Sequence, residues 1–268
     1  MKYFVLDRGD ETSLKLSDKF HKLAKQHNMI LDEFSPDIVI SIGGDGTMLY
    51  AFHKFVQQLE TISFVGIHTG HLGFYADWKP DEIEHLLEIM AKKANSDDVI
   101  VEYPIVQIEI KTVNDTRIYY ALNEITIKGI HATLVAQLDI NDDKFEMFRG
   151  DGICISTPSG STAYNKGLGG GIIHPSLAAI QIAEMASINN RVFRTLGSPI
   201  ILPKHHHCDI YPKANQKILL SVDHLQFEHK DIISIRSSVS HKKVRFARYR
   251  TFPFWNRVKE AFVGNDLN

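Results

Sequence analysis

Ile38-Val39-Ile40-Ser41-Ile42 leads directly into Gly43-Gly44-Asp45-Gly46-Thr47, and this stretch decides the fold. The apolar first part predicts a buried strand, and a helical apolar pattern follows from Met48 to Leu59. The glycines therefore lie in a strand–loop–helix junction, where a backbone can approach a ligand closely and helix N–H groups attract phosphate. An acid inside such a loop repels phosphate, so we interpret Asp45 as facing a hydroxyl that loses its proton. The stretch indicates phosphoryl transfer to a sugar or another alcohol.

Strands and helices alternate along the first hundred or so residues. Apolar runs at residues 3–6, 38–42 and 63–67 predict strands, and each is followed by apolar residues at helical spacing. The last of these helices begins near Pro80, which suits a first helical turn. Such a repeat predicts a parallel sheet with flanking helices, whose ligands lie beyond the carboxyl ends of the strands.

The pattern changes near Val99. Short alternating or apolar runs typical of strands follow, and one helix is predicted over about 176–185 and another in the aromatic tail over 252–262. The strand-like runs are at 106–110, 118–127, 134–140, 153–155, 200–202, 217–222, 232–235 and 244–247. The sequence therefore predicts an α/β domain with a parallel sheet over 1–98 and a β-rich, sandwich-like domain over 99–251. Residues 252–268 are expected to pack back on the first domain.

Composition excludes several classes of function. The 268 residues carry 30 Lys and Arg against 32 Asp and Glu, a balance that does not favour a nucleic-acid binder. No apolar run reaches the roughly 18–20 residues of a membrane helix, and the acidic start is unlike a signal peptide. Cys154 and Cys208 match no metal-ligand spacing and indicate buried thiols in a reducing compartment. We therefore expect a cytoplasmic protein without a membrane or nucleic-acid partner.

Two candidate clusters accompany Asp45 in the first half of the chain. Phe74 and Tyr75 end a glycine-rich loop, 68–75, which suits a loop that lines a base-binding pocket, although two core aromatics would give the same pattern. Asn123 and Glu124 interrupt an apolar strand, where a buried carboxylate is costly unless it is paired or liganded. Asn offers the donor and acceptor that read an adenine edge, and a strand end or bulge is the alternative.

Residues 149–152 precede a short apolar run at 153–155 that predicts a buried strand, and the stretch 156–167 that follows it is the segment of the chain richest in hydroxyl groups and glycine. Such small residues fit around sugar hydroxyls, an amide and a pyrophosphate. The segment lacks both the P-loop pattern and G-x-G-x-x-G, which disfavours a Walker-type ATPase and a hydride-transfer Rossmann site. An inert loop is the alternative interpretation.

Histidines form the remaining candidates. His224 follows Asp223 at a strand end, where it can meet phosphate or carry a proton, or simply belong to a turn. The run 205–207 consists of three histidines, but consecutive side chains of an extended chain point to different faces and chelate a metal poorly. We interpret that run as a solvated loop.

Together these segments resemble the NAD kinase family over nearly the whole chain. The resemblance rests on residues 43–47, 66–74, 123–124, 149–152 and 157–164, and stretches 186–191 and 252–255 look like versions from low-GC Gram-positive bacteria. The G-G-D-G-T loop alone is weak evidence, because lipid kinases and phosphofructokinases carry similar loops. Its combination with T-P-S-G-S-T-A-Y at this distance is highly specific.

The resemblance implies phosphoryl transfer from ATP or inorganic polyphosphate to the adenosine 2′-hydroxyl of NAD, giving NADP. It implies that Asp45 is the general base and that glycines of its loop cradle the donor phosphates. It also implies that most of the remaining candidates bind NAD. The implied phosphate-binding glycines are Gly43, Gly44 and Gly46. The residues implied to read or border adenine are Asn123, Ser159, Thr162, Phe74, Ala163 and Tyr164. The resemblance also implies that Tyr75, Asn165, Lys166 and Gly167 belong to the same binding site. Glu124 is implied to hold ribose hydroxyls and help place a metal, Asp151 and Ala186 to lie near nicotinamide, and Arg149 and His224 near phosphate.

The family resemblance further implies Mg²⁺ with the phosphoryl donor, and a homotetramer or homodimer whose sites are shared between subunits. The chain departs from the family at Gly167, where Ser or Ala is common, which removes a side-chain hydrogen bond near the nicotinamide end.

Two other functions remain as alternatives. A lipid kinase of the diacylglycerol or sphingosine type would need an apolar acceptor pocket and a membrane-facing surface, and the chain has no basic amphipathic helix. A catalytically silent NAD(H) sensor would keep Asn123 and Ser159 but has no need of Asp45 in its glycine loop.

Overall fold

The computed structural model of the chain describes residues 1–93 and 97–264. Two small parts of the expected domains therefore lie outside the described residues, namely 94–96 near the end of the first domain and 265–268 of the C-terminal segment. No helix within the described ranges has the length and apolar character needed to cross a membrane.

Strands dominate the second part of the chain, and helices separate the strands of the first part. In chain order the described elements are β1 (Lys2–Asp7), α1 (Glu11–Gln26), β2 (Ile30–Leu31), β3 (Ile38–Gly43), α2 (Asp45–Lys54), β4 (Ser63–His68), α3 (Ile83–Lys92), β5 (Ile100–Thr112), β6 (Thr116–Ala121), β7 (Glu124–Gly129), β8 (Leu134–Ile140), β9 (Asp143–Gly150), β10 (Gly152–Ser156), α4 (Tyr164–Gly167), β11 (Ala179–Met185), β12 (Ile200–Pro203), β13 (His207–Pro212), β14 (Ile218–Val222), β15 (Leu225–His229), β16 (Ile232–Ala247) and α5 (Phe254–Phe262). Short 3₁₀ turns precede α3, β5 and α4 at Pro80–Glu82, Asp97–Val99 and Ser159–Thr162.

The chain forms two compact units. The N-terminal unit comprises Met1–Glu102 together with Lys243–Asn268, and the central unit comprises Tyr103–Lys242. The C-terminal residues, including α5, thus belong to the same unit as the glycine loop.

A parallel sheet forms the centre of the N-terminal unit. Its strands lie in the order β2-β1-β3-β4, and β4 pairs in parallel with the end of β16. The entire strand β3 is buried, because helices cover the sheet and their apolar faces pack on it. Phe20 of α1 and Leu86 of α3 are fully buried in this core. The predicted parallel sheet of the first domain is confirmed.

Two antiparallel arrangements share one core in the central unit. The first sheet has the order β12-β11-β10-β7-β14-β15. In the second, β8 pairs with β9 and β13, β13 pairs with the first part of β16, and β5 pairs with β6. Apolar side chains from both, such as Ile127 and Ile210, pack into a single cluster. The prediction of a β-rich domain is confirmed.

The predicted helix over 176–185 is wrong. Residues 179–185 form β11, which pairs with β10 on one side and β12 on the other. Nearly every residue of β11 is buried. A strand that is covered on both faces reads as a continuous apolar run, and periodicity does not separate such a run from a buried helix.

Other boundaries also differ from the sequence-based prediction. The run 118–127 is two strands in different sheets, because β6 ends at Ala121 and β7 begins at Glu124. The two runs 232–235 and 244–247 are parts of one strand, β16. Four strands were missed, namely β2, β9, β13 and β15. The histidine loop is shorter than expected, since His207 already belongs to β13.

Candidate active site

Asp45 is the first residue of α2 and lies directly after the carboxyl end of β3. Its side chain is half-buried, and its two oxygens accept hydrogen bonds from the backbone N–H groups of Phe74 (2.9 Å) and Tyr75 (3.1 Å). Burial raises the pKa of the carboxyl group above its usual value, while these N–H groups and the charges of Arg257 and Arg248 oppose the rise. A fixed carboxylate with a raised pKa is better suited to accept a proton at neutral pH than a free Asp.

A pocket of about 520 Å³ lies beside the glycine loop. Its lining residues come from the end of β1 and the start of α2, and they are Leu6, Asp7, Arg8, Gly44, Gly46, Thr47 and Tyr50. Gly44 precedes the helix and Gly46 is exposed, so backbone N–H groups at the helix start border this space. Gly43 is buried and its Cα packs against the side chain of Thr47. Helix N–H groups and the Arg8 guanidinium suit an anionic ligand such as a phosphate chain.

The two aromatic residues of the loop 68–75 pack within the N-terminal unit. The ring of Tyr75 is 2% exposed and stacks on Phe246 at a centroid distance of 5.5 Å. The ring of Phe74 lies 5.8 Å from Phe262 and 6.1 Å from Phe254, both on α5. Tyr75 therefore contributes its backbone N–H to the site, while its side chain packs in the core against Phe246.

In the central unit, Asn123 and Glu124 form the corner between β6 and β7. The carboxylate of Asp223 accepts hydrogen bonds from the backbone N–H groups of Leu122 (2.9 Å), Asn123 (2.8 Å) and Glu124 (3.1 Å). Asp223 adopts a left-handed conformation (φ 52°), and its own N–H donates to the Glu124 carbonyl. His224 follows this residue and is half-buried. The corner is thus fixed by a residue about a hundred positions away.

The hydroxyl-rich segment docks on the same corner. The Thr157 hydroxyl donates to the Leu122 carbonyl (2.6 Å), and the Thr157 N–H donates to the Asn123 carbonyl (2.8 Å). The Ser159 hydroxyl also donates to the Leu122 carbonyl (3.2 Å). Gly160 lies so close to the Asn123 backbone that a β-carbon would overlap it. The structure therefore brings Asn123 and Ser159 together, as the predicted adenine site requires.

The remaining residues of this segment differ in exposure. Tyr164 is 43% exposed and its hydroxyl accepts a hydrogen bond from Lys128 (3.1 Å). Asn165 is fully buried, and neither polar atom of its side chain has a hydrogen-bond partner among the described residues. Thr162 and Ala163 are half-buried, and Lys166 and Gly167 are exposed.

Glu124 has an unusual environment for a carboxylate. It is half-buried, and its Oε2 atom has no hydrogen-bond partner within the part of the chain that the structure describes. Burial, together with the charge of the nearby Asp223 carboxylate, raises the pKa of Glu124 to about 8. A cation or a hydroxyl donor at Oε2 would stabilise the ionised form, so this oxygen is suited to hold one.

Arg149, Asp151 and Ala186 form a second group in the central unit. The Arg149 carbonyl accepts the Ile188 N–H (2.7 Å), and its guanidinium lies 5.2 Å from the Phe193 ring. The Asp151 N–H donates to the Met185 carbonyl (2.9 Å), and Ala186, next along the chain, has a positive φ of 46°. These three residues are brought together by the pairing of β10 with β11.

The histidine run contributes to one compact charged cluster. Ligand atoms of Asp142, His207 and Asp209 lie within 4.8 Å of one another. The Arg236 guanidinium donates to Asp209 (2.7 and 2.8 Å) and to Asp142 (2.9 Å), so both carboxylates pair with the same cation. The cluster is therefore an internally paired network and carries no metal assignment.

Sequence reasoning missed three charged residues of the N-terminal unit, namely Asp77, Arg248 and Arg257. All are buried, and both guanidinium groups form ion pairs with Asp77. In a single sequence an arginine that ion-pairs in the core looks like a surface arginine. The sequence offered one weak indication of this network, namely that Arg257 lies among aromatic residues on the predicted tail helix.

Comparison with known proteins identifies the family. The family model described as "ATP-NAD kinase N-terminal domain" matches residues 13–94, and "ATP-NAD kinase C-terminal domain" matches 122–248. The chain is 53% identical over 267 residues to NAD kinase 1 of Bacillus cereus (strain ATCC 10987 / NRS 248), covering 99% of this chain and 100% of that protein. It is 54% identical over 266 residues to NAD kinase 1 of Bacillus subtilis (strain 168), covering 98% and 99%.

Two solved structures share the fold at low sequence identity. Yeast NADH kinase complexed with NADH aligns with a TM-score of 0.82 at 17% identity, covering 100% of this chain and 89% of that chain. An NAD kinase from Archaeoglobus fulgidus in complex with ATP aligns with a TM-score of 0.73 at 20% identity, covering 93% and 94%. The predicted fold class and the resemblance to the family are confirmed.

Proposed function

Because this chain belongs to the NAD kinase family, we propose that it transfers a phosphoryl group from ATP to the adenosine 2′-hydroxyl of NAD and so forms NADP. Inorganic polyphosphate is a second candidate donor. The single observation that carries the proposal is the half-buried Asp45, held by two backbone N–H groups at the start of a helix that borders an anion-suited pocket.

In the N-terminal unit, Asp45 accepts the proton of the attacking hydroxyl. Both of its oxygens already accept one hydrogen bond, and each keeps a lone pair for the hydroxyl. Gly43, Gly44 and Gly46 hold the donor phosphates through the N–H groups at the start of α2, and Arg8 also lines this pocket. Phosphoryl transfer has a loose transition state, so positioning and electrostatics supply most of the rate.

In the central unit, Asn123 reads the adenine edge together with Ser159 and Thr162, and Ala163 and Tyr164 border the base. The supporting observation is that the hydroxyl segment is hydrogen-bonded to the Asn123 corner. Glu124 receives ribose hydroxyls at its unpartnered oxygen. Asp151 and Ala186 take the nicotinamide end, and Arg149 and His224 take phosphate, with a second subunit contributing to the site.

A divalent cation, Mg²⁺ above all, fits the residues present. Carboxylate oxygens are its preferred protein ligands, and Glu124 offers a buried oxygen without a hydrogen-bond partner among the described residues. When bound with the phosphoryl donor, the cation neutralises charge that develops on the transferred group. Glu124 would hold it, and Asp45 would remain the proton acceptor.

We further propose a homo-oligomer, a tetramer or a dimer. Several large apolar side chains of the central unit are exposed around the end of β11 and on β12, which is typical of an interface. They include Val192 (76% exposed), Leu196 (54%) and Ile201 (53%). Light scattering of the purified protein tests this assembly.

A cytoplasmic location is also proposed, because Cys154 and Cys208 are free buried thiols.

We propose that the two domains bind different substrates. Residues 1–98 with 252–268 form the donor-binding domain, and residues 99–251 form the NAD-binding domain. The division into the N-terminal and central units supports this assignment.

The decisive experiment measures NADP formation by the purified protein with NAD, Mg²⁺ and either ATP or polyphosphate. Asp45→Asn keeps the shape of the side chain and removes its basicity, so kcat is expected to fall by about 100-fold or more while NAD affinity changes only a few fold. Asp81→Asn, at an exposed position before α3, is the matched control and retains wild-type turnover.

Three results would contradict the proposal. Near-wild-type turnover in Asp45→Asn removes the base assignment. NAD binding without NADP formation from either donor supports a silent sensor instead, and phosphorylation of a diacylglycerol acceptor in a parallel assay supports a lipid kinase.

A further inference from the structure

Arg257, on α5, contacts the backbone segment that holds Asp45. Its Nη1 donates to the carbonyl oxygens of Gly73 (2.8 Å) and Ala76 (2.6 Å), and its Nη2 donates to Oδ1 of Asp77 (2.7 Å). The Arg257 side chain is 9% exposed. A guanidinium that is withdrawn from water and bonded to three acceptors is fixed in position.

Asp77 anchors this guanidinium from the other side. Its Oδ1 accepts from Arg257, and its Oδ2 accepts from Nη1 of Arg248 (2.6 Å). All three side chains are buried, so the ion pairs are little screened by solvent. The ion pairs with Asp77 therefore fix the position of the Arg257 guanidinium.

The Gly73 carbonyl and the Phe74 N–H belong to the same peptide group. A trans peptide is planar, and its C=O and N–H point in opposite directions. Arg257 binds the carbonyl end of this group, and Oδ2 of Asp45 accepts from its N–H end at 2.9 Å. One rigid peptide plane thus connects the guanidinium to the carboxylate.

The rings of α5 reinforce the same arrangement. Phe254 and Phe262 pack on Phe74, on either side of Arg257 along the helix. Helix α5 therefore holds the segment 73–76 through the Phe74 ring and the carbonyl groups of Gly73 and Ala76. On the other side of the segment, the N–H groups of Phe74 and Tyr75 donate to Asp45.

We propose that Arg257 is a positioning residue for phosphoryl transfer, which aims the Gly73–Phe74 peptide at Asp45 and so sets the orientation of the carboxylate. This inference rests on the proposed role of Asp45 as the base. It assigns the C-terminal helix a part in the reaction through the loop, without contact with the substrates.

The charges around Asp45 give the proposal a second measurable consequence. Arg257 and Arg248 both favour the ionised carboxylate, the N–H groups of Phe74 and Tyr75 do the same, and burial opposes them. Asp77 neutralises part of the charge of both arginines. Removal of the Arg257 charge should raise the pKa of Asp45 further, so the acid limb of the pH–kcat profile should move to higher pH.

The experiment compares Arg257→Met, Arg257→Lys and a matched control, Arg250→Met. Arg250 pairs with Glu82 and donates to the Asp77 carbonyl at the far end of the same segment, but it has no hydrogen bond to Gly73 or Ala76 in the described structure. Each variant is assayed for kcat, for KM of NAD, for its kcat profile between about pH 5 and pH 9, and for thermal unfolding.

Arg257→Met is expected to lower kcat by about 10- to 100-fold, since a displacement of about 1 Å at a reacting group can cost that much. KM for NAD should stay within about twofold, because only a step after binding is affected. Arg257→Lys should return the acid limb to its wild-type position, because the charge is kept, and recover only part of kcat, because one ammonium cannot reproduce the fork. Arg250→Met should retain wild-type kcat.

Three outcomes would overturn the inference: wild-type kcat and pH profile in folded Arg257→Met, wild-type kcat in Arg257→Lys, or an equal loss in Arg250→Met. If Arg257→Met does not fold, Arg257→Lys decides alone, with reduced kcat at an unchanged pH midpoint supporting the proposal. Failure of the proposed function is distinguishable, because then the wild-type protein forms no NADP or Asp45→Asn remains active.

Discussion

The carboxylate of Asp45 lies directly against Cα of Gly73, and a β-carbon at position 73 would occupy the space of the carboxyl group. The two residues are 28 positions apart in the chain, and the Gly73 position has no need of a left-handed conformation. Gly73 is required here for close approach, because only a residue without a side chain leaves room for the carboxylate.

Gly73→Ala is therefore expected to displace Asp45 and lower kcat by at least about tenfold, since reacting groups tolerate displacements of only a fraction of an ångström. KM for NAD should change little. Gly70→Ala is the matched control in the same loop, because a β-carbon there meets nothing within 4 Å. Equal turnover of the two variants would show that the position of Asp45 does not limit the reaction.

Asp223 organises the corner that carries Asn123 and Glu124. Asp223→Asn keeps the size of the side chain and the tolerance for a positive φ, but its amide nitrogen cannot accept an N–H. Hydrogen bonds to a charged group contribute about 1.5–3 kcal/mol each. We expect weaker NAD binding, measured by calorimetry, and a lower melting temperature.

The control for that measurement is Asp231→Asn, at an Asp whose side chain is 41% exposed and lies 3.6 Å from His229. It should leave NAD affinity unchanged. If Asp223→Asn bound NAD as tightly as the wild-type protein, the corner would be held by the docked hydroxyl segment alone.

Gly160 supports the same corner through close packing. A β-carbon there would overlap the carbonyl group and Cα of Asn123, which are backbone atoms and cannot move aside as a flexible side chain can. Gly160→Ala is expected to destabilise the protein by about 1–3 kcal/mol, the usual cost of overpacking, and to weaken NAD binding. Gly171→Ala, whose β-carbon would meet only Gln181 at 3.8 Å, should behave as the wild type in denaturant unfolding and in binding.

Glu146 makes stability depend on pH. Its carboxyl group lies near that of Glu184, and its Oε2 accepts the Leu196 N–H at 2.8 Å. Burial raises the pKa of Glu146 to about 7. The folded state thus binds a proton that the unfolded state releases near its usual pKa of 4.5, so the free energy of unfolding falls as pH rises between these values and stays low above about 7.

Glu146→Gln fixes the neutral form, because its amide carries no charge and its oxygen can still accept the Leu196 N–H. We expect the variant to be more stable than the wild type at pH 8 and similar to it near pH 5, by chemical denaturation at each pH. Glu102→Gln, which removes a surface ion pair with Lys243, should show no such pH-dependent difference. A wild-type stability that does not fall between these pH values would exclude this role of Glu146.

The local parts of the fold were predictable because short-range interactions decide them. Strand β3, the glycine loop and α2 follow from a β-branched run, a glycine cluster and helical spacing over 38–55. The parallel sheet follows from the repeated strand–helix order. Asp45 lies at the start of α2 directly after β3, as the strand–loop–helix pattern predicts.

The sequence-based prediction was wrong for strands that are buried on both faces, and it missed strands that form only by pairing with strands distant in the chain. The helix predicted over about 176–185 is wrong because β11 is covered on both faces and has no alternating pattern. Strands such as β13 are polar in sequence and exist through pairing with β8 and β16. No local rule predicts such partners, since β-propensity depends on neighbours supplied by the rest of the chain.

The sequence by itself determined the strand–loop–helix that carries Asp45, the parallel sheet around it and the family to which the chain belongs. The tertiary structure alone decided that Gly73 leaves room for Asp45, that Arg257 holds the opposite end of the peptide bonded to it, and that Asp223 holds the Asn123 corner. The physical reason is distance along the chain. Propensity and periodicity arise between residues a few positions apart, whereas a buried ion pair or a close backbone contact exists only when folding has brought distant residues together.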